Sequence, residues 1–266
     1  MNIDASTVAI VTGASSGIGW ETALAFSARG ARVIAAARSK DKLDELARLS
    51  KKGPIEAIAT DVSNETSCQA LVDETVRRHG RIDVLVNNAG FGHYAGVEHL
   101  ETEDLERIFR TNLFGSLWCA KAAIPRMRAQ GGGHIVNVST IIAQRSVPFM
   151  SAYCMSKFAL NALDESLALE VGRDGIGVSL VCPGLTHTGF QTNARKIGFS
   201  PPVSNASGMR AERVAQAILS AVERRRRRTY LTASGRALVW AQRISPRFVD
   251  AVLDLMYAKK RIERTN

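Results

Sequence analysis

Short apolar runs rich in β-branched residues alternate with longer helical patterns almost from end to end of the chain. The runs are Val8–Thr12, Arg32–Ala36, Glu56–Ala59, Val84–Val86, Gly133–Val138, Gly177–Val181 and Thr229–Leu231. Their continuously apolar character fits strands buried on both faces, as in a parallel sheet. Between them lie helical patterns at Ile18–Arg29, Lys40–Leu49, Glu65–His79, Thr102–Arg128, Ala152–Val171 and Ala211–Arg224. Strands and crossovers in this order predict an α/β, doubly wound fold with right-handed connections. No repeat or low-complexity linker divides the 266 residues, so one domain over 1–266 is expected.

Two stretches break the alternation. Residues 185–209 form a Gly-, Ser-, Asn- and Pro-containing segment with Phe190 and Phe199, too long for an ordinary connection and expected to act on substrate. After the last run, Leu238–Tyr257 reads as amphipathic, within a basic extension over residues 235–266. It could pack on the core, cap the site or join a second subunit.

Composition narrows the function classes. With 45% apolar and 23% charged residues the chain is an ordinary globular protein, not a disordered tail or a fibre. Four cysteines, Cys68, Cys119, Cys154 and Cys182, stand far apart, which argues against a structural zinc site and suits a reducing compartment. Neither a signal peptide nor a membrane-spanning run is evident, so a cytoplasmic protein is expected. Thirty-five Lys and Arg against 25 Asp and Glu leave a charge of +10, concentrated at Arg224–Arg228 and in the tail. A solvated helix end is the plain reading of the arginine run. Contact of the tail with a membrane surface is the alternative. Nucleic-acid binding is not expected, because no aromatic-interleaved basic motif accompanies the run.

Directly after the first strand stands Thr12-Gly13-Ala14-Ser15-Ser16-Gly17-Ile18-Gly19, followed by a helix. A glycine turn there lets backbone approach a pyrophosphate at the positive helix end. Where many dinucleotide sites carry an acid for the ribose 2′-hydroxyl, the second strand here ends Ala35-Ala36-Ala37-Arg38. Ala37 leaves room for a 2′-phosphate and Arg38 can donate to it, so NADP(H) is expected over NAD(H). Farther on, Tyr153 and Lys157 are four apart and share one helix face. A nearby ammonium would lower the pKa of the phenol and make it a usable proton donor and acceptor.

Taken together, Thr12-Gly13 with Gly17-x-Gly19, Asn87-Asn88-Ala89-Gly90, Asn112, the hydroxyls Ser139 and Thr140, Tyr153 with Lys157, and Pro183-Gly184 resemble the short-chain dehydrogenase/reductase family over about residues 6–235. The resemblance implies a Rossmann-like sheet of seven parallel strands with helices on both faces. It also implies a nicotinamide cofactor, hydride exchange with a carbonyl or alcohol, and a homodimer or homotetramer, often built on the two long helices. By the same resemblance, Tyr153 would be the acid and base. Lys157 would tune it and hold the nicotinamide ribose, and Asn112 would hold a relay water. The cofactor would lie along Gly13, Ser15, Ser16, Gly17, Ile18 and Gly19, with Asp61 and Val62 at the adenine. Asn88, Ala89 and Gly90 would border it, Ser139 would meet the nicotinamide through its backbone, and Pro183, Gly184 and Thr188 would hold the carboxamide. Asn87 is read as a strand-end residue bonded to neighbouring backbone.

Two positions depart from the family pattern. The substrate-orienting hydroxyl, usually a serine 13 residues before the tyrosine, is Thr140 here. Thr140 is expected to keep that role in a narrower pocket, with Ser139 exchanging roles if the strand bulges. Thr186 stands where an apolar residue is common and could add a bond to the carboxamide. Phe91, Tyr94, Val147, Phe149, Met150, Phe190 and Phe199 suggest a lipophilic carbonyl or alcohol substrate, with His93 and His187 as polar exceptions. His93 is expected to pack or face solvent and not to transfer protons. A nucleotide-responsive binding protein with little catalysis, and an NAD-dependent alcohol dehydrogenase, are the competing readings.

Overall fold

The computed structural model describes residues 1–198 and 208–262, so Phe199 and the last four residues of the basic extension lie outside the described residues. β1 (Val8–Thr12) runs into α1 (Gly17–Ala28), followed by β2 (Arg32–Ala37), α2 (Lys40–Arg48), β3 (Ile55–Ala59), α3 (Glu65–His79) and β4 (Val84–Asn87). Next come β5 (His93–Ala95), α4 (Thr102–Phe109), α5 (Gly115–Ala129), β6 (Gly133–Val138), α6 (Ser151–Val171) and β7 (Ile176–Cys182). The small elements β8 (Thr186–His187), α7 (Phe190–Asn193), β9 (Arg195–Ile197) and β10 (Met209–Arg210) lead to α8 (Ala211–Glu223), β11 (Arg228–Tyr230), α9 (Ala233–Ile244) and α10 (Pro246–Ile262).

The local chemistry is visible in α3. Asn64 caps its start by accepting from the Ser67 amide at 3.0 Å, and Glu65 sits at the positive pole. Arg77, Arg78 and His79 occupy the last turn, and Gly80 closes it at φ 73°.

The seven expected strands form one sheet in the order β11-β7-β6-β4-β1-β2-β3, every pair parallel. β1, β4 and β6 are buried throughout. One core lies under α1, α2 and α8, the other under α3, α5 and α6, so both faces are covered. β1 has β2 on one side and β4 on the other. The winding therefore reverses there, and a crevice opens at the carboxyl ends of the strands.

The structure corrects three expectations. The helix expected over Thr102–Arg128 is interrupted by a π-helical turn at Arg110–Phe114, because Asn112 within it bonds the Phe91 backbone through both its amide atoms. The element expected at Leu238–Tyr257 is two helices, α9 and α10, with Pro246 opening the second, where its missing N–H costs nothing. The arginine run is more than a solvated helix end. Arg225 donates to the Gly175 carbonyl, Arg227 pairs with the buried Asp164, and Arg228 pairs with Glu165.

Across the sheet, His134 of β6 lies in the space that a side chain at Gly177 would fill, 2.4 Å from its Nδ1. The Ser179 hydroxyl donates to the Arg226 carbonyl at 2.6 Å, so the His134 Nε2–H must be the donor in its 2.8 Å bond to Ser179. Nδ1 finds no partner among the described residues. Burial, with the Arg225 and amino-terminal charges, pulls the His134 pKa down to about 4. The unfolded chain therefore binds this proton first, and stability falls as pH drops from the free-histidine value towards 4. Urea unfolding between pH 7 and pH 4.5 is expected to show wild type losing about 2–3 kcal/mol more than His134→Gln. Equal losses would mean that the second ring nitrogen is satisfied.

Candidate active site

Every predicted site residue lies at or beside the carboxyl edge of the sheet or on the helices that flank it. The turn after β1 is held in left-handed backbone at Gly13 (φ 66°) and Gly17 (φ 56°). A Cβ at Gly19 would stand 2.3 Å from the Gly13 carbonyl, so the helix can approach the turn only with glycine there. Asn88 fastens the turn from β4, its side-chain amide donating to the Thr12 carbonyl at 2.9 Å and the Gly13 carbonyl at 3.3 Å. Thr12 completes the clamp: its hydroxyl donates to the Val86 carbonyl and accepts from the Asn88 and Ala89 amides. Ser16 is the cap residue of α1 but makes no side-chain cap bond, which leaves amide donors of the first turn open beside Ser15, Gly17 and Ile18. A bare-backbone turn against open helix amides fits the phosphates of a dinucleotide.

Around this turn, Arg38 is exposed at the end of β2. Burial works to raise the pKa of Asp61, but hydrogen bonds from the Ser63 side chain and backbone and the Arg38 charge prevail and hold its carboxyl below the usual value. Val62 is buried against Gly115 at the start of α5. Thr188 stands directly over Gly17, its methyl 2.9 Å from where a Cβ would be. The Thr186 hydroxyl donates to the Gly184 carbonyl at 3.0 Å, so its proton is already committed within the turn.

The second cluster is built on α6. Tyr153 and Lys157 are both buried on its inner face, at 6% and 3% exposure. Lys157 Nζ donates to the Val138 carbonyl at 2.9 Å, and burial pulls its pKa down to about 8. The Tyr153 phenol moves the opposite way to the expected lowering. Burial pushes its pKa well up, and a hydrogen bond with Thr140 works against that. Among the residues packed around it is Phe190 of α7, whose ring meets Tyr153 edge-on with centroids 5.1 Å apart. Ser139 and Thr140 face different ways. The Ser139 hydroxyl donates to Asn161 at 2.6 Å, whereas Thr140 reaches Tyr153 and, at 3.5 Å, the Pro183 carbonyl.

Asn112 joins the two clusters. Its Nδ2 donates to the Phe91 carbonyl and Ser156 hydroxyl, each at 3.1 Å, and its Oδ1 accepts the Phe91 amide at 3.0 Å. Oδ1 also faces Gly90, where a Cβ would stand 3.0 Å from it and 3.5 Å from Lys157 Nζ. Asn87 bonds the Ser116 carbonyl as expected, and also Asn137 at 3.0 Å. Asn137 in turn donates to Asp164 at 2.8 Å. His93 is buried and paired with Asp104 at 3.1 Å, which Arg195 of β9 also reaches at 2.9 Å. The expected loop-packing role of His93 thus includes an ionisable partner.

Sequence reading missed several of these partners. Ser156, Asn161 and Asp164 continue the Tyr153–Lys157 stripe along α6, and that spacing could have revealed them. Asn137, a lone amide between two valines of a buried strand, was a second available signal. Nothing local pointed to Phe190 on Tyr153.

Comparison with known proteins agrees with this geometry. The family model described as short chain dehydrogenase matches residues 7–197. An uncharacterised oxidoreductase of Bacillus subtilis is 31% identical over 264 residues, which are 97% of this chain and 74% of the relative. A short-chain dehydrogenase/reductase from Burkholderia phymatum, solved in complex with NAD, superposes with a TM-score of 0.83 at 25% identity, covering 91% of this chain and 94% of that one. An alcohol dehydrogenase from Thermococcus sibiricus, complexed with 5-hydroxy-NADP, gives a TM-score of 0.75 at 25% identity, covering 84% and 95%. The family model spans most of the chain and the seven-stranded parallel sheet matches that of solved members, so the chain belongs to the short-chain dehydrogenase/reductase family.

Proposed function

We propose that this oxidoreductase uses NADP(H) to reduce a lipophilic ketone or aldehyde, or to oxidise the matching secondary alcohol, with Tyr153 as acid and base. One observation carries the reading: Tyr153 and Lys157 are buried side by side, with the half-buried Thr140 hydroxyl bonded to Tyr153, beside a turn whose bare backbone fits a dinucleotide. In this reading Gly13, Ser15, Ser16, Gly17, Ile18 and Gly19 hold the pyrophosphate. Asp61 and Val62 flank the adenine, and Asn88, Ala89, Gly90 and the Ser139 backbone border the far half. Pro183, Gly184 and Thr188 hold the carboxamide. A nicotinamide held there would supply or take up the hydride at the substrate carbon.

The protein's own work is then proton handling and exclusion of water. Tyr153, its pKa raised by burial, keeps its proton at neutral pH and can give it to a substrate oxygen when the hydride arrives at the carbon. Thr140, not Ser139, orients that oxygen, because the Ser139 proton is committed to Asn161. Lys157 holds the ribose and favours the phenolate that forms, and the Asn112 Oδ1, facing Gly90 and Lys157, receives the relay water. Apolar walls from Tyr94, Met150, Val147, Phe91 and Phe190 surround Tyr153 and suit a lipophilic substrate.

Arg38 supports the choice of NADP(H), since β2 ends without an acid and this guanidinium is exposed at its tip. The neighbouring structures hold either an NAD or an NADP derivative and do not decide it. Exposed Phe114, Met155, Phe158 and Leu169 on and around α5 and α6 support a homodimer or homotetramer built there. The four free, buried cysteines support a reducing, cytoplasmic setting.

Three measurements test the reading. Calorimetric titration should show NADPH binding more tightly than NADH, with Arg38→Ala losing about 10- to 100-fold for NADPH alone; equal affinities in wild type would transfer the assignment to NAD. Tyr153→Phe should lower kcat by about 10²–10⁴-fold on any accepted carbonyl while leaving NADPH affinity within about twofold. Unchanged turnover would sink the mechanism. Lys157 is charged only below its pKa of about 8, so kcat/KM for reduction should be level at neutral pH and fall as pH rises through that value. A profile flat to pH 10 would remove the ammonium from the mechanism.

A further inference from the structure

The two terminal helices carry an apolar face that the rest of the chain does not cover. Trp240 and Ile244 lie one turn apart on α9, and Phe248, Leu255 and Met256 follow on α10; all five are 61–79% exposed. The inner sides of the same helices are anchored. Val239, Val249 and Leu253 are buried, Asp250 pairs with Arg145, and the Tyr257 ring meets Phe149 with centroids 6.2 Å apart. The outward residues are therefore a second face of packed helices and not the core side of a loose tail.

Charge around this face selects its occupant. From Arg224 to Val249 the chain has eight arginines and no acid. Arg236, Arg243 and Arg247 border the apolar residues, are exposed, and form no ion pair among the described residues. Arg243 lies 6.0 Å from the centre of the Trp240 ring. Both acids of α10 are engaged, Asp250 with Arg145 and Asp254 in a further contact. A second copy meeting this face about a twofold axis would set the same arginines against each other. An anionic lipid surface would accept both the aromatic and aliphatic side chains and the cations.

We propose that α9 and α10 dock the protein onto anionic phospholipid bilayers, lying in the interface with Trp240, Ile244, Phe248, Leu255 and Met256 inserted and Arg236, Arg243 and Arg247 on the headgroups. No helix among the described residues is long and apolar enough to cross a membrane, so the contact is a surface one. Its position matters for the reaction. Tyr257 of α10 rests on Phe149, next to Met150 in the apolar cluster that contains Tyr153, so a docked protein holds its apolar pocket close to the lipid from which a lipophilic substrate would come.

The test is vesicle flotation of the full chain with phosphatidylcholine alone and with phosphatidylcholine enriched in phosphatidylglycerol. The protein should float with the anionic vesicles only, and less as salt is raised. The variant Trp240→Ser, Ile244→Ser, Phe248→Ser, Leu255→Ser should remain at the bottom with an unchanged melting temperature. Replacing Arg236, Arg243 and Arg247 with glutamine should reduce the bound fraction by about tenfold or more. Absence of flotation, or equal flotation of the serine variant, would overturn the proposal. So would a serine variant whose only change in sedimentation velocity is a halved particle mass, because the face would then belong to a second copy.

Discussion

The hydroxyl of Thr12 holds together the two halves on which the site depends. β1 and β4 part at their carboxyl ends, where the sheet changes direction, and the crevice needs its two walls at a fixed spacing. One buried hydroxyl sets it, giving its proton to the Val86 carbonyl and taking two amides from Asn88 and Ala89. Asn88 returns the contact by holding the carbonyls of Thr12 and Gly13. The Thr12–Val86 bond is buried and the others are partly so, and each supports the next, so the loss of one weakens the whole clamp. The glycine turn is then a rigid cradle and not a loose loop.

Behind Tyr153 and Lys157 runs a second buried polar line. Asn87 at the end of β4 reaches Asn137 on β6, which reaches Asp164 on α6, and Arg227 closes the line from the far edge of the sheet. Burial favours the protonated form of Asp164, and its bonds to Asn137 and Arg227 oppose this. The line ties α6, which carries Tyr153 and Lys157, to the strand that precedes Thr140. Placing the phenol against the threonine hydroxyl is thus a property of the whole sheet–helix layer. Removing any one member of such a network leaves a buried charge or amide without its partner.

Much of this was readable before any coordinates. Continuous apolar strands have no other plausible surroundings than a sheet covered on both faces, so all seven appeared where expected, with ends shifted by a residue or so. The glycine turn and the Tyr153–Lys157 pair were legible because their spacing along the chain is also their spacing in space. What the sequence concealed depends on distant segments meeting. The Thr12 clamp joins residues about 75 apart, and the pairing of Asp164 with Arg227 spans 63. The π-helical turn was hidden for a different reason: Arg110–Phe114 has ordinary helical composition, and the partners that Asn112 bonds from within it, the Phe91 backbone and Ser156, lie far off in the chain. The direction of the Tyr153 shift depends on burial among neighbours that include Phe190, which residue types alone do not encode.

That widened turn makes fold and chemistry separable by a single codon. A π-helical turn holds one more residue than the α-helical turn it replaces. Deleting Arg110 or Thr111 would let α4 and α5 merge into a continuous helix. The same deletion would rotate Asn112 away from Phe91, Ser156 and Gly90. A lineage can therefore lose the Asn112 contacts while keeping the sheet and the glycine turn. A one-residue gap at this point in an alignment would mark relatives whose sheet and turn survive without the Asn112 link between the two clusters.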